Sequence, residues 1–159
     1  MNVTIEKTNE LRVRLETDLR KLISLIGPIQ IGNHSQFPYG WRKAAKGRTV
    51  WRILEEAINQ NLEYRIQDIG VESVVPSESE VSVYDTKVIF ENENIPAFMN
   101  VKSSVKGGRS NKDDISKAVG LKAFYDEDKQ RQLFVSTFEI DFKDDMTIEF
   151  TKCVVMPVA

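Results

Sequence analysis

Three side chains have types and spacing that suit chemistry. Asp85 sits inside an otherwise apolar run, VSVYDTKVIF, and Asn100 and Lys102 follow in FMNVKSS. A carboxylate among apolar strand residues is costly unless something pairs with it or binds it. A strand's period of two puts Asn100 and Lys102 on one face, with Val101 pointing the other way. Glu91-Asn92-Glu93-Asn94, between the two runs, reads as a turn. If the runs form a hairpin, Asp85 comes near the Asn100/Lys102 pair. One carboxylate, one amide oxygen and one ammonium at a sheet end suit metal-assisted phosphodiester hydrolysis. Asp85 and a main-chain carbonyl would hold Mg²⁺, which prefers hard oxygen ligands and keeps several waters. Lys102 would orient or help deprotonate the attacking water and offset charge in the transition state. The same arrangement also describes a hydrogen-bonded structural Asp beside a surface Lys.

The charge pattern adds a second signal. The 159 residues carry 22 Lys+Arg against 24 Asp+Glu, a formal net charge of -2. Within that near-neutral total, Arg42, Lys43, Lys46, Arg48 and Arg52 form one basic segment without an acid, and Lys102, Lys106, Arg109 and Lys112 form another. If the fold brings these segments together, they attract phosphate even though the whole chain is slightly acidic. If each is only a solvated surface, they lie apart.

The elements that must position these residues are readable from periodicity. Residues 5–26 read as an amphipathic helix, with Leu11, Leu15, Leu19, Leu22 and Ile26 at spacings of three and four, ended by Gly27-Pro28. Residues 27–40 read as a loop. A second helix runs from Trp41 or Ala44 to Leu62, with Val50, Trp51, Leu54, Ala57, Ile58 and Leu62 on its apolar face. A short strand is expected within 63–75, two β-rich runs at 81–90 and 95–103, and a helix capped by Asn111 or Asp113 that reaches Tyr125. Strands at 132–142 and 146–155 follow. The order predicts an α/β (α+β) protein, a mixed central sheet flanked by helices, with residues 1–159 forming one domain.

Several function classes are excluded. The longest apolar runs fall far short of the roughly 18 residues a membrane helix needs. The polar N-terminus reads as neither signal nor transit peptide, so the expected location is cytoplasmic. One cysteine, Cys153, precludes an intrachain disulfide, and with the single His34 it makes a Cys/His zinc site implausible. Cys153, in an apolar strand, reads as a buried small hydrophobe. Trp41 and Trp51 read as packing residues.

The run Asp85 … Asn100-Val101-Lys102 resembles the signature of the PD-(D/E)XK nucleases, in particular the type II restriction endonucleases. Lys43-Ala44-Ala45-Lys46-Gly47-Arg48 leading into VWRILEEAINQNL is similar to the basic lead and Glu-bearing helix that open many of these cores. NVKSSVKGGRSNKDDISKAVGLKAFY is similar to their active-site strand, basic loop and following helix. The resemblance covers residues 41–142, and it implies a restriction-endonuclease-like catalytic core over about 41–155. It implies an Mg²⁺-dependent endodeoxyribonuclease acting on double-stranded DNA, with Mn²⁺ able to substitute, and most simply a homodimer, because two strands are cut. Asp85, Asn100 and the Val101 main-chain carbonyl would be metal ligands and Lys102 catalytic. Lys43, Lys46, Arg48, Ser104, Lys106, Arg109, Asn111 and Lys112 would contact DNA.

This chain departs from the family pattern at two places. Asn100 stands at the second acidic position, which removes a charge and weakens metal binding. Tyr84 precedes Asp85 where the signature has Pro. The missing acid raises the importance of a helix carboxylate. At about 100° per residue, Glu55 flanks the apolar face and Glu56 points nearly opposite, so Glu55 is the expected supporting carboxylate. Two alternatives stand beside the nuclease: a DNA-binding module on a nuclease scaffold with lost chemistry, and a protein-interaction domain whose basic segments lie on different faces.

Overall fold

In a computed structural model, residues 4–42, 46–79, 82–106, 117–128 and 131–158 are described, with only the backbone described at 46–49 and 117–121. The first helix, α1 (Ile5–Ile26), has the bounds that the periodicity predicts. Thr4 caps it, its hydroxyl accepting the Lys7 N–H at 3.1 Å. Gly27 ends it with φ +69°, a left-handed value that a residue with a Cβ rarely adopts, and donates its N–H to the Ile23 carbonyl. The stripe Leu11, Leu15, Leu19 and Leu22 is fully buried. Each leucine contributes about 1.5–3 kcal/mol relative to exposure, so the stripe is occupied by the core.

After α1 come β1 (Ile29–Gln30), α2 (Lys46–Tyr64), β2 (Val71–Pro76), β3 (Thr86–Phe90), β4 (Ala97–Val105), α3 (Lys117–Glu127), β5 (Gln132–Phe142) and β6 (Thr147–Val158). The six strands form one mixed sheet in the order β1-β6-β5-β4-β3-β2. Among the described residues only β4 and β5 pair in parallel, and a parallel pair needs a crossover, which contains α3. The sheet has helices on both faces. Met99, Val101, Phe134 and Phe138 pack with the α1 leucines and with Ile58 and Leu62 of α2. Phe98 and Leu133, on the other face, pack with Phe124 of α3. The mixed, helix-flanked sheet matches the expected fold class.

The differences are local. The loop expected at 27–40 includes the two-residue strand β1, held because Ile29 pairs with Ile148. The strand expected within 63–75 is displaced to Val71–Pro76, and α2 runs on to Tyr64. The run expected at 81–90 pairs only from Thr86. The capping residues Asn111 and Asp113 lie outside the described residues.

The buried residues of α2 are Val50, Leu54, Ile58 and Leu62, a strict i, i+4 ridge. Such a ridge is inclined to the helix axis, so the buried direction rotates along the helix. This corrects the placement of Trp51. Its helical angle lies within the average apolar face, but at the start of the helix the ridge points elsewhere, and Trp51 is 38% exposed.

Two polar groups inside these contacts lead to predictions. Burial pushes the Asp18 carboxyl up from its ordinary value, against the Gly70 N–H and Arg14, which lower it. Its Oδ2 is buried without a hydrogen-bond partner among the described residues. A raised folded value means stability present at acid pH and lost as pH rises through that value. Asp18→Asn should therefore raise the melting temperature at neutral pH, and the gain should shrink toward about pH 4, as thermal melts across pH will read. Cys153 is fully buried, and burial, reinforced by Glu16 against Arg20, pushes its thiol up to about 12. A thiol reagent should leave the native protein unlabelled and modify one cysteine on unfolding.

Candidate functional site

The hairpin expected from the sequence is present: Thr86, Lys87 and Val88 pair with Met99, Phe98 and Ala97. At its open end β3 leaves the sheet. Asp85 donates its N–H to the Met99 carbonyl at 2.8 Å, and its carbonyl accepts the Ser77 N–H at 2.8 Å, which continues the β2–β3 register. The β3–β4 register would set the Tyr84 carbonyl opposite the Val101 amide, and the Asp85 side chain takes that place: Oδ2 accepts the Val101 N–H at 2.6 Å. A charge-assisted bond of this kind contributes about 1.5–3 kcal/mol. It fixes a half-buried carboxylate against the peptide that joins Asn100 to Val101.

The same bond fixes a second donor. In a strand the N–H and C=O of one residue point to the same side. The Val101 carbonyl therefore faces the side from which β3 has departed. Asn100, 7% exposed, donates Nδ2 to the Val83 carbonyl at 2.9 Å. That contact turns its amide oxygen away from Val83. Lys102, two residues on, shares the face of Asn100 and is exposed. Tyr84, Phe98 and Phe124 pack beside this face, with ring centroids 4.9–5.9 Å apart.

The opposite face contributes α2. The Thr86 hydroxyl donates to Asn59 Oδ1 at 3.0 Å, which clamps the helix to the first residue of β3. Glu55 lies one turn before Asn59 on the same row, about 6 Å along the axis. The helix runs against β4: Val50 and Leu54 pack near Val105 and Ile140, and Ile58 and Leu62 belong to the cluster of Met99 and Val101. That step of one turn carries Glu55 from the level of Thr86 toward the level of Asp85 and Val101. Glu55 is half-buried and Glu56 exposed, as the helical angles predict. The clamp between Asn59 and Thr86 escaped the sequence reading. Its signal was two small polar residues within apolar surroundings.

The oxygen donors at this sheet end are thus Asp85, the Val101 carbonyl and Asn100, with Glu55 carried by α2 on the opposite face. Among the described residues no three His, Cys, Asp or Glu side chains group to hold a metal. A cation here would rely on at most two carboxylates, neutral oxygens and water. Mg²⁺ accepts such a set, since it keeps several waters and commonly binds one or two carboxylates.

The backbone brings the start of α2 to the end of β4, and each carries part of a basic segment. Lys46 and Arg48 belong to the first turn of α2, whose Val50 packs in one cluster with Val105, next to Lys106. Lys102 and Lys106 are exposed and Ser104 is half-buried. Lys43, Arg109, Asn111 and Lys112, and the side chains of Lys46 and Arg48, lie outside the described residues. An open groove of about 410 Å³ between α1 and β6, lined in part by Arg20, Phe150 and Lys152, is separate from this constellation. No protein-family model matches the sequence, and no curated protein is significantly similar to it.

Because Asp85 satisfies a strand amide, its substitutions should divide by shape. Asp85→Ala strands the Val101 N–H and should cost about 1–3 kcal/mol. Asp85→Asn keeps an acceptor and should cost less, as chemical denaturation of both variants will show.

Proposed function

We propose that the chain is an Mg²⁺-dependent DNA endonuclease hydrolysing phosphodiester bonds in duplex DNA, of the type II restriction endonuclease kind. The observation that carries this reading is the Asp85–Val101 hydrogen bond. It holds a carboxylate at the Asn100-Val101-Lys102 tripeptide where one strand leaves the sheet, beside a helix that carries Glu55. The nearness of the start of α2, which carries Lys46 and Arg48, to Lys106 at the end of β4 favours a polyanionic substrate over a protein-interaction role. Mn²⁺ would substitute for Mg²⁺, and cutting both strands with one site per chain favours a homodimer.

The roles follow from chemistry. Asp85, the Val101 carbonyl, Asn100 and Glu55 would hold the metal. Mg²⁺, when bound, would supply a polarised phosphoryl oxygen and a more acidic water. Lys102, exposed on the face of Asn100, would orient the attacking water, take part in its deprotonation and offset negative charge on the phosphorane-like transition state. Lys43, Lys46, Arg48, Ser104, Lys106, Arg109, Asn111 and Lys112 would contact the DNA, chiefly its phosphates.

One observation favours a second reading, a DNA-binding module with lost chemistry. Asn100 is committed to the Val83 carbonyl, so the site is one acid short of the family pattern and its amide is tied into the fold. A cleavage assay on long duplex DNA separates the two. The nuclease reading predicts Mg²⁺- or Mn²⁺-dependent discrete fragments, abolished by chelator and reduced at least about 100-fold in Asp85→Asn and Lys102→Ala. Salt-dependent DNA binding without cleavage in either metal would establish the second reading instead.

A further inference from the structure

The residues between Asp18 and Glu55 include seven Lys or Arg and no Asp or Glu, together with Phe37, Tyr39, Trp41 and Trp51. Two of these aromatic residues, Tyr39 and Trp51, are exposed with a cation beside the ring. Tyr39 is 79% exposed, and the Arg42 guanidinium lies 4.9 Å above its ring. Trp51 has the Arg52 guanidinium 4.5 Å above its indole. Phe37 stacks on Trp41 with centroids 5.0 Å apart and planes 28° from parallel. The loop that carries Tyr39 is pinned, since Phe37 and Gly40 close turns onto Asn33 and Phe37, and His34 Nε2 contacts the Asp144 carbonyl at 2.7 Å.

We propose that this surface is a stacking platform for unpaired DNA bases, with Tyr39 and Trp51 supporting the bases and Arg42 and Arg52 the adjoining phosphates. The choice of DNA as ligand rests on the nuclease reading, and the platform deepens it by naming a substrate feature. Exposed rings with cations on their faces, in a stretch without acids, match what single-stranded nucleic acid presents: flat π-faces and a regular negative charge. Duplex DNA covers those π-faces with neighbouring base pairs, so an unpaired segment is the occupant that uses the rings. Position supports this. Trp51, Glu55 and Asn59 lie on one i, i+4 row of α2, which puts the Trp51 indole one turn from the candidate supporting carboxylate. Ile29 and Ile31, before the loop, pack in the cluster of Val50 and Leu54, which holds the loop's base against the start of α2.

The test is a fluorescence titration in chelator, where no cleavage occurs, with a 12-mer of oligothymidine and with a blunt 12-base-pair duplex. Wild type, Tyr39→Leu and Trp51→Leu are compared, with circular dichroism confirming that each is folded. The chain has two tryptophans, so Trp51→Leu leaves Trp41 as the one indole emitter. The platform predicts that the oligonucleotide binds and quenches wild-type emission. Each substitution should weaken oligonucleotide binding by about 5- to 150-fold and leave duplex binding unchanged. Oligonucleotide affinities equal to wild type in both variants would overturn it. Duplex cleavage in Mg²⁺ with those unchanged affinities would remove the platform and leave the nuclease reading. Tyr39-dependent oligonucleotide binding without cleavage of any DNA would do the reverse. No binding to either DNA would overturn both.

Discussion

The candidate site depends on one exchange of hydrogen-bond partners. Where β3 leaves the sheet, the Val101 amide must find an acceptor, because a buried main-chain N–H without one costs about as much as a lost hydrogen bond. The Asp85 carboxylate supplies it at 2.6 Å, in place of the Tyr84 carbonyl that the β3–β4 register would set there. This one substitution of side chain for main chain ends the strand pairing, anchors a carboxylate and turns the next carbonyl toward the opening. The bond is structural, and the proposed metal site rests on the same bond.

Other contacts hold that opening in place. The Asn59–Thr86 bond fixes α2 against the start of β3, and the i, i+4 ridge of α2 fixes its rotation, with Glu55 on the flank. The hairpin is tied at its far end to α1. Glu93 accepts the Asn94 and Ile95 amides and pairs with Lys7. Burial is the largest single influence and opposes ionisation of Glu93, but the bond and charge of Lys7 together with the Ile95 and Asn94 amides outweigh it and hold the carboxyl below its ordinary range. Both ends of β3 and β4 are therefore set by contacts with helices.

Much of this was legible in the sequence because it follows from periodicity. The α1 bounds, the 132–142 strand, the turn at Glu91–Asn94 and the half-burial of Glu55 against the exposure of Glu56 all come from apolar spacing and turn chemistry. What periodicity missed depends on tertiary geometry. β1 is two residues long and exists only through its pairing with β6. The early end of β3 reflects a choice between main-chain and side-chain acceptors, which no local pattern encodes. Trp51 was misplaced because an average helical face ignores the inclination of the packing ridge. For the site, the adjacency of Asp85 to Asn100 followed from the hairpin register, whereas the tie of Asn100 to Val83 did not.

The central claim is that the Asp85–Val101 corner holds a divalent cation. The most direct measurement is a Mn²⁺ titration of the ¹⁵N-labelled protein followed by amide NMR. The account predicts that the Asp85, Asn100, Val101 and Lys102 resonances broaden first, and that this selectivity is lost in Asp85→Asn. Broadening that begins at the surface acids Asp141, Asp145 and Glu149, and is the same in wild type and Asp85→Asn, would contradict it.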